Sequence, residues 1–294
     1  GIFINYSKSY TRKASFFVLK LAENVTDEEQ VIYEHGGMDK GLNIYVKNNK
    51  LYMQAWNTTD DDLDGNETPW GGNHSYAMSS PLSPGTAYVV SCHFDANASS
   101  GLRIFINGVE NGNYTGNVGP LYSHDSGTAI GGVNSDSRFF SGAYPSESGN
   151  NFKGDLAEFN YFNEALLNVA RVRILHNYFS AKYHIALANN VQYVDLEYAN
   201  ALSQTANFNY DIAGIGLVND QNLHGDAQGT AQMRINNGAY NGINAFMMWG
   251  HNGDSFAETW PSSSFPMPEG ILKRSKRIWK IYKTTNGVVT KADV

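Results

Sequence analysis

The chain has 294 residues, 41% of them apolar, and a formal charge of −7, which is material for about two domains and a sizeable buried core. The acidic balance argues against a surface built to neutralise nucleic-acid phosphates, and the one concentration of basic residues, Lys273-Arg274 to Lys276-Arg277, reads as a solvated strand edge. No apolar run approaches the ~20 residues of a membrane span, which excludes direct insertion. No signal peptide is visible, and Cys92 is the single cysteine, so there is no intrachain disulfide. Aromatic residues at 13% and 29 glycines favour an all-β chain. The chain begins at Gly, which leads us to expect a processed product or a piece of something longer.

In chain order, Ile2 to Tyr6 is a short apolar entry suited to an edge strand, and Ser15 to Leu21 is a stronger strand. The stretch Gln30 to Asn57 then reads as three strands in a row. Val31 and Tyr33, then Leu42, Ile44 and Val46, then Leu51, Met53 and Ala55 alternate with more polar neighbours at the two-residue period of a half-buried strand. Gly36-Gly37 and Gly41 punctuate the first connection, and Asn48-Asn49 makes the second, because Asn accepts the positive φ of a tight hairpin. One face of this antiparallel meander is expected to form a core and the other to carry Tyr45, Tyr52 and Trp56.

Thr58 to Ser80 reads as one long polar loop, a type of segment that in a compact domain is usually functional or disordered. Within it Asp60, Asp62 and Asp64 alternate ahead of Gly65, the opening of many calcium loops. Carboxylates at alternate positions converge on a hard cation, and the glycine permits the turn; Glu67 offers a further oxygen. The helix-loop-helix pattern is incomplete, since Gly71 stands where a bidentate Glu would close it, so a plain acidic surface loop remains the alternative to calcium. Trp70 and Tyr76 lie in the same segment, and with Trp56 they form a candidate aromatic platform for a sugar ring. The alternative is that the tryptophans simply seal the end of the fold.

Ala87 to Phe94 and Leu102 to Ile106 are further strands, the second closed by an Asn107-Gly108 hairpin signal, and Ala129 to Val133 is a short one. Cys92 sits inside the first of these as a buried, inert thiol. The Ser/Gly-rich stretch Asn134 to Asn151 carries Phe139, Phe140 and Tyr144 and is a second loop that could line a binding face. Gly154 to Phe162 closes the domain. Asn163 is placed to cap a helix whose Ala170, Ile174, Leu175, Tyr178 and Phe179 recur at helical spacing.

Several of these segments carry a family resemblance. IYEHGGMDKGLNIYVKNNKLYMQAWN, LSPGTAYVVSCHFD, LRIFINGVENG and FKGDLAEFNYFNEAL, in that order across Ser15 to Leu187, resemble the laminin-G-like branch of the concanavalin A-like lectin/glucanase superfamily. The resemblance implies a mostly β fold, an antiparallel two-sheet jelly-roll sandwich. LLNVARVRILHNYFSAKYHIAL resembles the helix that ends such modules in large secreted bacterial proteins. YDIAGIGLVNDQNL, NAFMMWGHNGDS and RSKRIWKIYKTTNG resemble a β-rich domain that follows them. The implied organisation is a sandwich over 1–162, a connecting helix over 163–188 and a second β-rich module over 189–294 that continues beyond the fragment.

Catalytic signatures are missing. The glucanases of this superfamily present E-x-D-x-x-E on one strand, and Asp155-Leu156-Ala157-Glu158 lacks the leading Glu, so Glu158 reads as structural. The eight histidines are scattered, and Gly214-Ile215-Gly216 is a lone fragment with Asn219 where a third glycine would stand. The expectation is therefore a non-enzymatic extracellular binding or adhesion module of a secreted or cell-surface protein. Its ligand would be a glycan or other cell-surface partner, assisted by calcium. A structural spacer, a passenger recognised by secretion or surface-anchoring machinery, and an accessory module of a polysaccharide-degrading enzyme are the alternatives.

Overall fold

The computed structural model describes residues 2–4, 9–24, 27–37, 39–57, 73–116, 118–121, 123, 127–134, 136–140, 149–163, 169–183, 185–187, 208, 210–217, 223–228, 233–243, 245–255, 258–259, 269–271, 273–283 and 288–293. The chain divides into two units, Gly1–Asn168 and Val169–Val294.

The first unit contains β1 (Ile2–Ile4), β2 (Arg12–Lys20), β3 (Gln30–Gly36), β4 (Lys40–Lys47), β5 (Lys50–Asn57), β6 (Asn73–Met78), β7 (Ala87–Asp95), β8 (Ser100–Ile106), β9 (Val109–Thr115), β10 (Thr128–Ile130) and β11 (Asp155–Phe162). They pair into a six-stranded sheet, β1-β10-β3-β4-β5-β6, and a five-stranded sheet, β11-β2-β7-β8-β9. Both sheets are antiparallel throughout. One buried cluster lies between them: Leu42, Ile44, Val46, Leu51, Met53 and Ala55 from β4 and β5 meet Phe17, Leu19, Val90, Phe94, Leu102 and Ile104 from β2, β7 and β8. This is the two-sheet antiparallel sandwich that the family resemblance implies, built from the strands that alternation predicts, and each large side chain buried there contributes about 1.5–3 kcal/mol. Cys92 belongs to the same cluster, where burial pushes its thiol well above the ordinary range.

Two hairpins fix the register. Asn48 and Asn49 both have positive φ, 49° and 61°, so Lys47 faces Lys50 and every residue behind them is paired in step. Asn107 (φ 48°) and Gly108 (φ 86°) make the second such turn. The Asn107 side chain also accepts the amide of Val89 at 2.9 Å, tying the hairpin to the neighbouring strand.

Two sequence expectations need correcting. The segment Thr58 to Ser80 is not all loop, because Asn73–Met78 forms β6, with Ser75 and Ala77 buried and Tyr76 and Met78 turned outward. Its inward side chains are small, so the alternation that marks the other strands is muted. Val31 and Tyr33 do not share a face either: a bulge between them sends both Ile32 and Tyr33 into the core and leaves Val31 outside.

β2 also carries a lysine into the sandwich. Lys13, 2% exposed, sits on the same face as Ser15, Phe17 and Leu19. Its Nζ lies 3.3 Å from the centroid of the Tyr10 ring and 4.7 Å from that of Tyr161. Ring faces attract a cation, but here loss of water dominates, and burial brings the amine down to about 6.

The second unit opens with α1 (Val169–Tyr183), followed by β12 (Tyr210–Leu217), β13 (Leu223–His224), β14 (Ala227–Gln228), β15 (Arg234–Asn241), β16 (Ala245–His251), β17 (Glu258–Thr259), β18 (Arg274–Ser275), β19 (Trp279–Lys283) and β20 (Val288–Asp293). The strands form sheets ordered β13-β12-β16-β19, β14-β15-β20 and β17-β18. A small core gathers Ala213, Ile215, Ile235, Ala245 and Trp249. The helix packs on β12 and groups with this unit. Its expected cap at Asn163 is separated from Val169 by residues outside the described set, and its buried face runs through Val172, His176 and Phe179 while Tyr178 is exposed. Those three positions share one face at spacings of four and three, whereas Tyr178 falls to the side. The Gly214-Ile215-Gly216 fragment lies inside β12, where a Cβ at Gly216 would meet the Phe246 ring, so its glycine is explained by packing.

Lys13 supplies a stability test. Its folded value of about 6 lies below the unfolded 10.5, so between these the unfolded chain holds the extra proton, and stability rises with pH across that window and is lost on descending to 6. Lys13→Met is expected to raise the unfolding free energy obtained from urea titration by on the order of a few kcal/mol at the acid end, and little at the alkaline end. An unchanged pH slope in the variant would show that the amine is not its source.

Candidate binding surface

The outer face of the six-stranded sheet is organised in rows that run across the strands. Pairing aligns Gly36 with Gly41, Gly41 with Trp56 and Trp56 with His74 in one row, and Glu34, Asn43, Gln54 and Tyr76 in the next. The third row is Val31, Tyr45, Tyr52 and Met78. All three follow from the period of two: whatever does not face the sandwich core faces this side.

Trp56 is 2% exposed. Its indole covers Gly41, where any Cβ would run into the ring, and its Nε1 donates to the Gly37 carbonyl at 3.0 Å. The tryptophan therefore clamps the glycine turn between β3 and β4, which makes packing the role its geometry supports. The Gly36 φ of 126° makes that turn one that a side chain would strain.

A strap formed by residues 131–134 and 136–140 lies over the middle of the face. Gly131 donates its amide to the Ile32 carbonyl at 2.8 Å, and Asn134 donates to Glu34 Oε1 at 3.2 Å. Asn43 Nδ2 donates to Ser137 Oγ at 3.0 Å and to the Arg138 carbonyl at 2.6 Å, while Gln54 Nε2 reaches the same carbonyl at 3.2 Å. Glu34, Asn43 and Gln54 are all 0% exposed under this strap. Glu34 Oε2, Asn43 Oδ1 and Gln54 Oε1 have no hydrogen-bond partner among the described residues. Burial pushes the Glu34 carboxyl up to about 8, with Asp136 adding to the rise and the Asn134 amide opposing it, so the group is largely neutral at physiological pH.

The strap ends in two aromatic residues that complete a stack. Phe139 packs edge-on against Tyr45 at 4.8 Å between centroids and is fully buried. Tyr45 lies flat on Tyr52 at 4.9 Å, Tyr52 on Phe140 at 5.0 Å, and Phe140 on Tyr76 at 5.0 Å. Tyr76, at 39% exposed, is where this stack reaches solvent.

Of the candidate ligand residues, then, Trp56, Tyr76 and Phe139 come together on one face of one sheet, with only Tyr76 offering a ring to solvent. Trp70 and Tyr144 lie outside the described residues, as do the candidate calcium ligands Asp60, Asp62, Asp64 and Glu67. Glu158, on the other sheet, accepts a hydrogen bond from Asn160 at 3.1 Å. The polar row Glu34, Asn43 and Gln54 was not legible from sequence. Each residue sits at an outward strand position, where a polar side chain normally means solvent, and nothing local signals the strap that covers it.

A family model described as a domain of unknown function (DUF8202) matches residues 172–294, within the second unit. No curated protein matches the chain in sequence. Similar solved structures include domains LG4-5 of the mouse laminin α1 chain, at 11% identity and a TM-score of 0.34 over 56% of this chain and 40% of that one. The binding domain of botulinum neurotoxin serotype G is another, at 8% identity and a TM-score of 0.37 over 92% of this chain and 68% of that one. Both likenesses are too distant to transfer a ligand or a site.

The buried carboxyl gives a check on the strap. Because Glu34 is raised from 4.5 to about 8, its stabilising contribution is complete below 4.5 and lost as pH rises through 8. Glu34→Gln keeps the shape and removes the ionisation. The variant is expected to be more stable than the parent above that range, by on the order of a few kcal/mol, in urea titrations repeated across pH. Parallel curves at every pH would mean that the carboxyl is solvated instead.

Proposed function

We propose that the first unit is a non-catalytic, extracellular binding module of laminin-G-like kind, and that a glycan docks at its Tyr76 edge. The observation that carries this reading is the stack from Tyr45 through Tyr52 and Phe140 to Tyr76, which holds one exposed ring flat and in place before any ligand arrives. A sugar offers its C–H face to such a ring, and a ring fixed by its neighbours loses little freedom on binding. Connectivity adds to this: residues 58–72 lead directly into β6, and residues 141–148 follow Phe140, so both long polar segments are tethered to the same edge. The acidic run of Asp60, Asp62 and Asp64, with Glu67, is the proposed calcium ligand set, and the cation's part would be to order the segment preceding β6.

Titration of the intact chain with a panel of neutral and acidic glycans, followed by intrinsic fluorescence, tests the docking edge. At least one glycan is expected to bind, and Tyr76→Ala to weaken it about tenfold or more with an unchanged melting temperature. A panel without a binder, or a variant that binds like the parent, sinks the reading. For calcium, chelator is expected to lower the melting temperature of the parent and to leave Asp62→Ala unmoved. A parent insensitive to chelator removes the cation from the proposal while the glycan result stands on its own.

A further inference from the structure

The sequence holds six Asn-Gly steps, at Asn107, Asn111, Asn237, Asn241, Asn252 and Asn286. At such a step the glycine amide nitrogen can reach the asparagine carboxamide, because no Cβ on the second residue stands in the way. Whether it does so depends on how firmly the carboxamide and the glycine are held, and the fold treats these steps differently. Asn107 Oδ1 accepts the Val89 amide at 2.9 Å, and Asn111 Oδ1 accepts the Ser80 amide at 2.7 Å. Asn252 Oδ1 accepts the Ile278 amide at 3.1 Å, while its Nδ2 donates to Asp254 at 2.7 Å and to the Lys276 carbonyl at 3.2 Å. Gly238, which follows Asn237, lies inside β15, where a Cβ would collide with the side chains of Tyr240 and Ile215. Asn286 and Gly287 lie outside the described residues.

Asn241 is different on both counts. It is the last residue of β15, paired there with Val288, and its side chain makes no hydrogen bond among the described residues. Asn241 and Gly242 are both exposed, and Ile243 beyond them is 54% exposed. Gly242 has a φ of 86°, a left-handed value that suits glycine and few other residues. The chain leaves β15, which pairs with β14 and β20, and enters β16, which pairs with β12 and β19. The connection therefore passes from one sheet to another instead of closing a hairpin, and no ladder of paired strands spans it.

We propose that Asn241 is a modification site, at which the folded chain forms a succinimide with Gly242 and so converts an amide into an aspartyl or isoaspartyl carboxylate. The Gly242 amide nitrogen, its proton taken up by hydroxide, attacks Asn241 Cγ from the adjoining position in the chain. A new N–Cγ bond forms, the bond from Cγ to the carboxamide nitrogen breaks, and ammonia leaves after taking a proton from water. Water then opens the cyclic imide at either carbonyl. Opening at Cγ restores the main chain and leaves Asp, whereas opening at the backbone carbonyl routes the main chain through the side chain as isoaspartate. In sum one water is consumed, one ammonia is released and one negative charge is added. The isoaspartyl link also puts an extra carbon into the main chain at the point where it crosses between sheets.

Ageing the intact chain in buffered heavy-oxygen water, followed by peptide mapping with fragmentation in a mass spectrometer, tests the proposal. Conversion at Asn241 is expected to outrun that at Asn107, Asn111 and Asn252 by about fivefold or more, the factor by which one hydrogen bond that must break first slows a reaction. The converted residue should carry the heavy oxygen, and a methyltransferase specific for isoaspartyl carboxyls should label the aged chain at this step. In guanidinium, where the fold holds none of these side chains, the rates should converge. Asn241→Gln, whose longer side chain would have to close a larger ring, should leave residue 241 unconverted. An Asn241 that stays amidated while a held step converts, rates in the folded chain that match those in guanidinium at every step, or a mass gain in the same peptide that persists in Asn241→Gln would each overturn the inference.

Discussion

The first unit depends on one constraint: the inward-facing aliphatic side chains of β4 and β5 must meet those of β2, β7 and β8 in a single dry layer. Because a strand alternates strictly, a slip of one residue in pairing would turn Leu42, Ile44 and Val46 to the outside and bring Asn43 and Tyr45 in. The left-handed pair Asn48 and Asn49 prevents such a slip by fixing where the chain reverses. Everything on the outer face inherits its position from that choice, including the alignment of Glu34 with Asn43 and Gln54.

The outer face has different physics. Instead of a second apolar layer it carries a polar row beside an aromatic one, and the strap covers both. The aromatic half is well matched, ring on ring. Over the polar half, two amide groups share one carbonyl while three oxygens find no described partner, so this part of the cover is held with less than its full complement of hydrogen bonds. The strap is thus anchored by its aromatic end at Phe139 and Phe140 more than by its middle. That end adjoins the one ring of the stack that is open to solvent.

Sequence reasoning reached the strands of the first unit because they are long, strongly alternating and closed by Asn-rich turns, features that need no tertiary information, whereas their pairing into two sheets came from the family resemblance. It missed β6, whose inward residues are Ser75 and Ala77, and it missed the bulge in β3, since Ile32 and Tyr33 are both apolar and either fits a core. Aromatic residues that the structure places on this outer face, Trp56, Tyr76 and Phe139 among them, were visible in the sequence as candidates. Their division into buried supports and one exposed ring was not, because it depends on which segment crosses which face. The second unit was legible only as β-rich. Four of its nine described strands, β13, β14, β17 and β18, are only two residues long, and periodicity carries little signal over so short a run.

The bulge at Ile32 links these layers. The extra residue adds one side chain to the interior, and its carbonyl receives the amide of Gly131, where the covering segment begins. Removing that single residue would leave Val31 outside, Tyr33 inside and Glu34 outside, so the alternation of the strand would survive the deletion. The cover would lose its first attachment. Length variation at this point therefore separates two properties that are usually inherited together, a sound interior and a closed exterior, and related chains that differ by one residue here would differ in what their outer face presents.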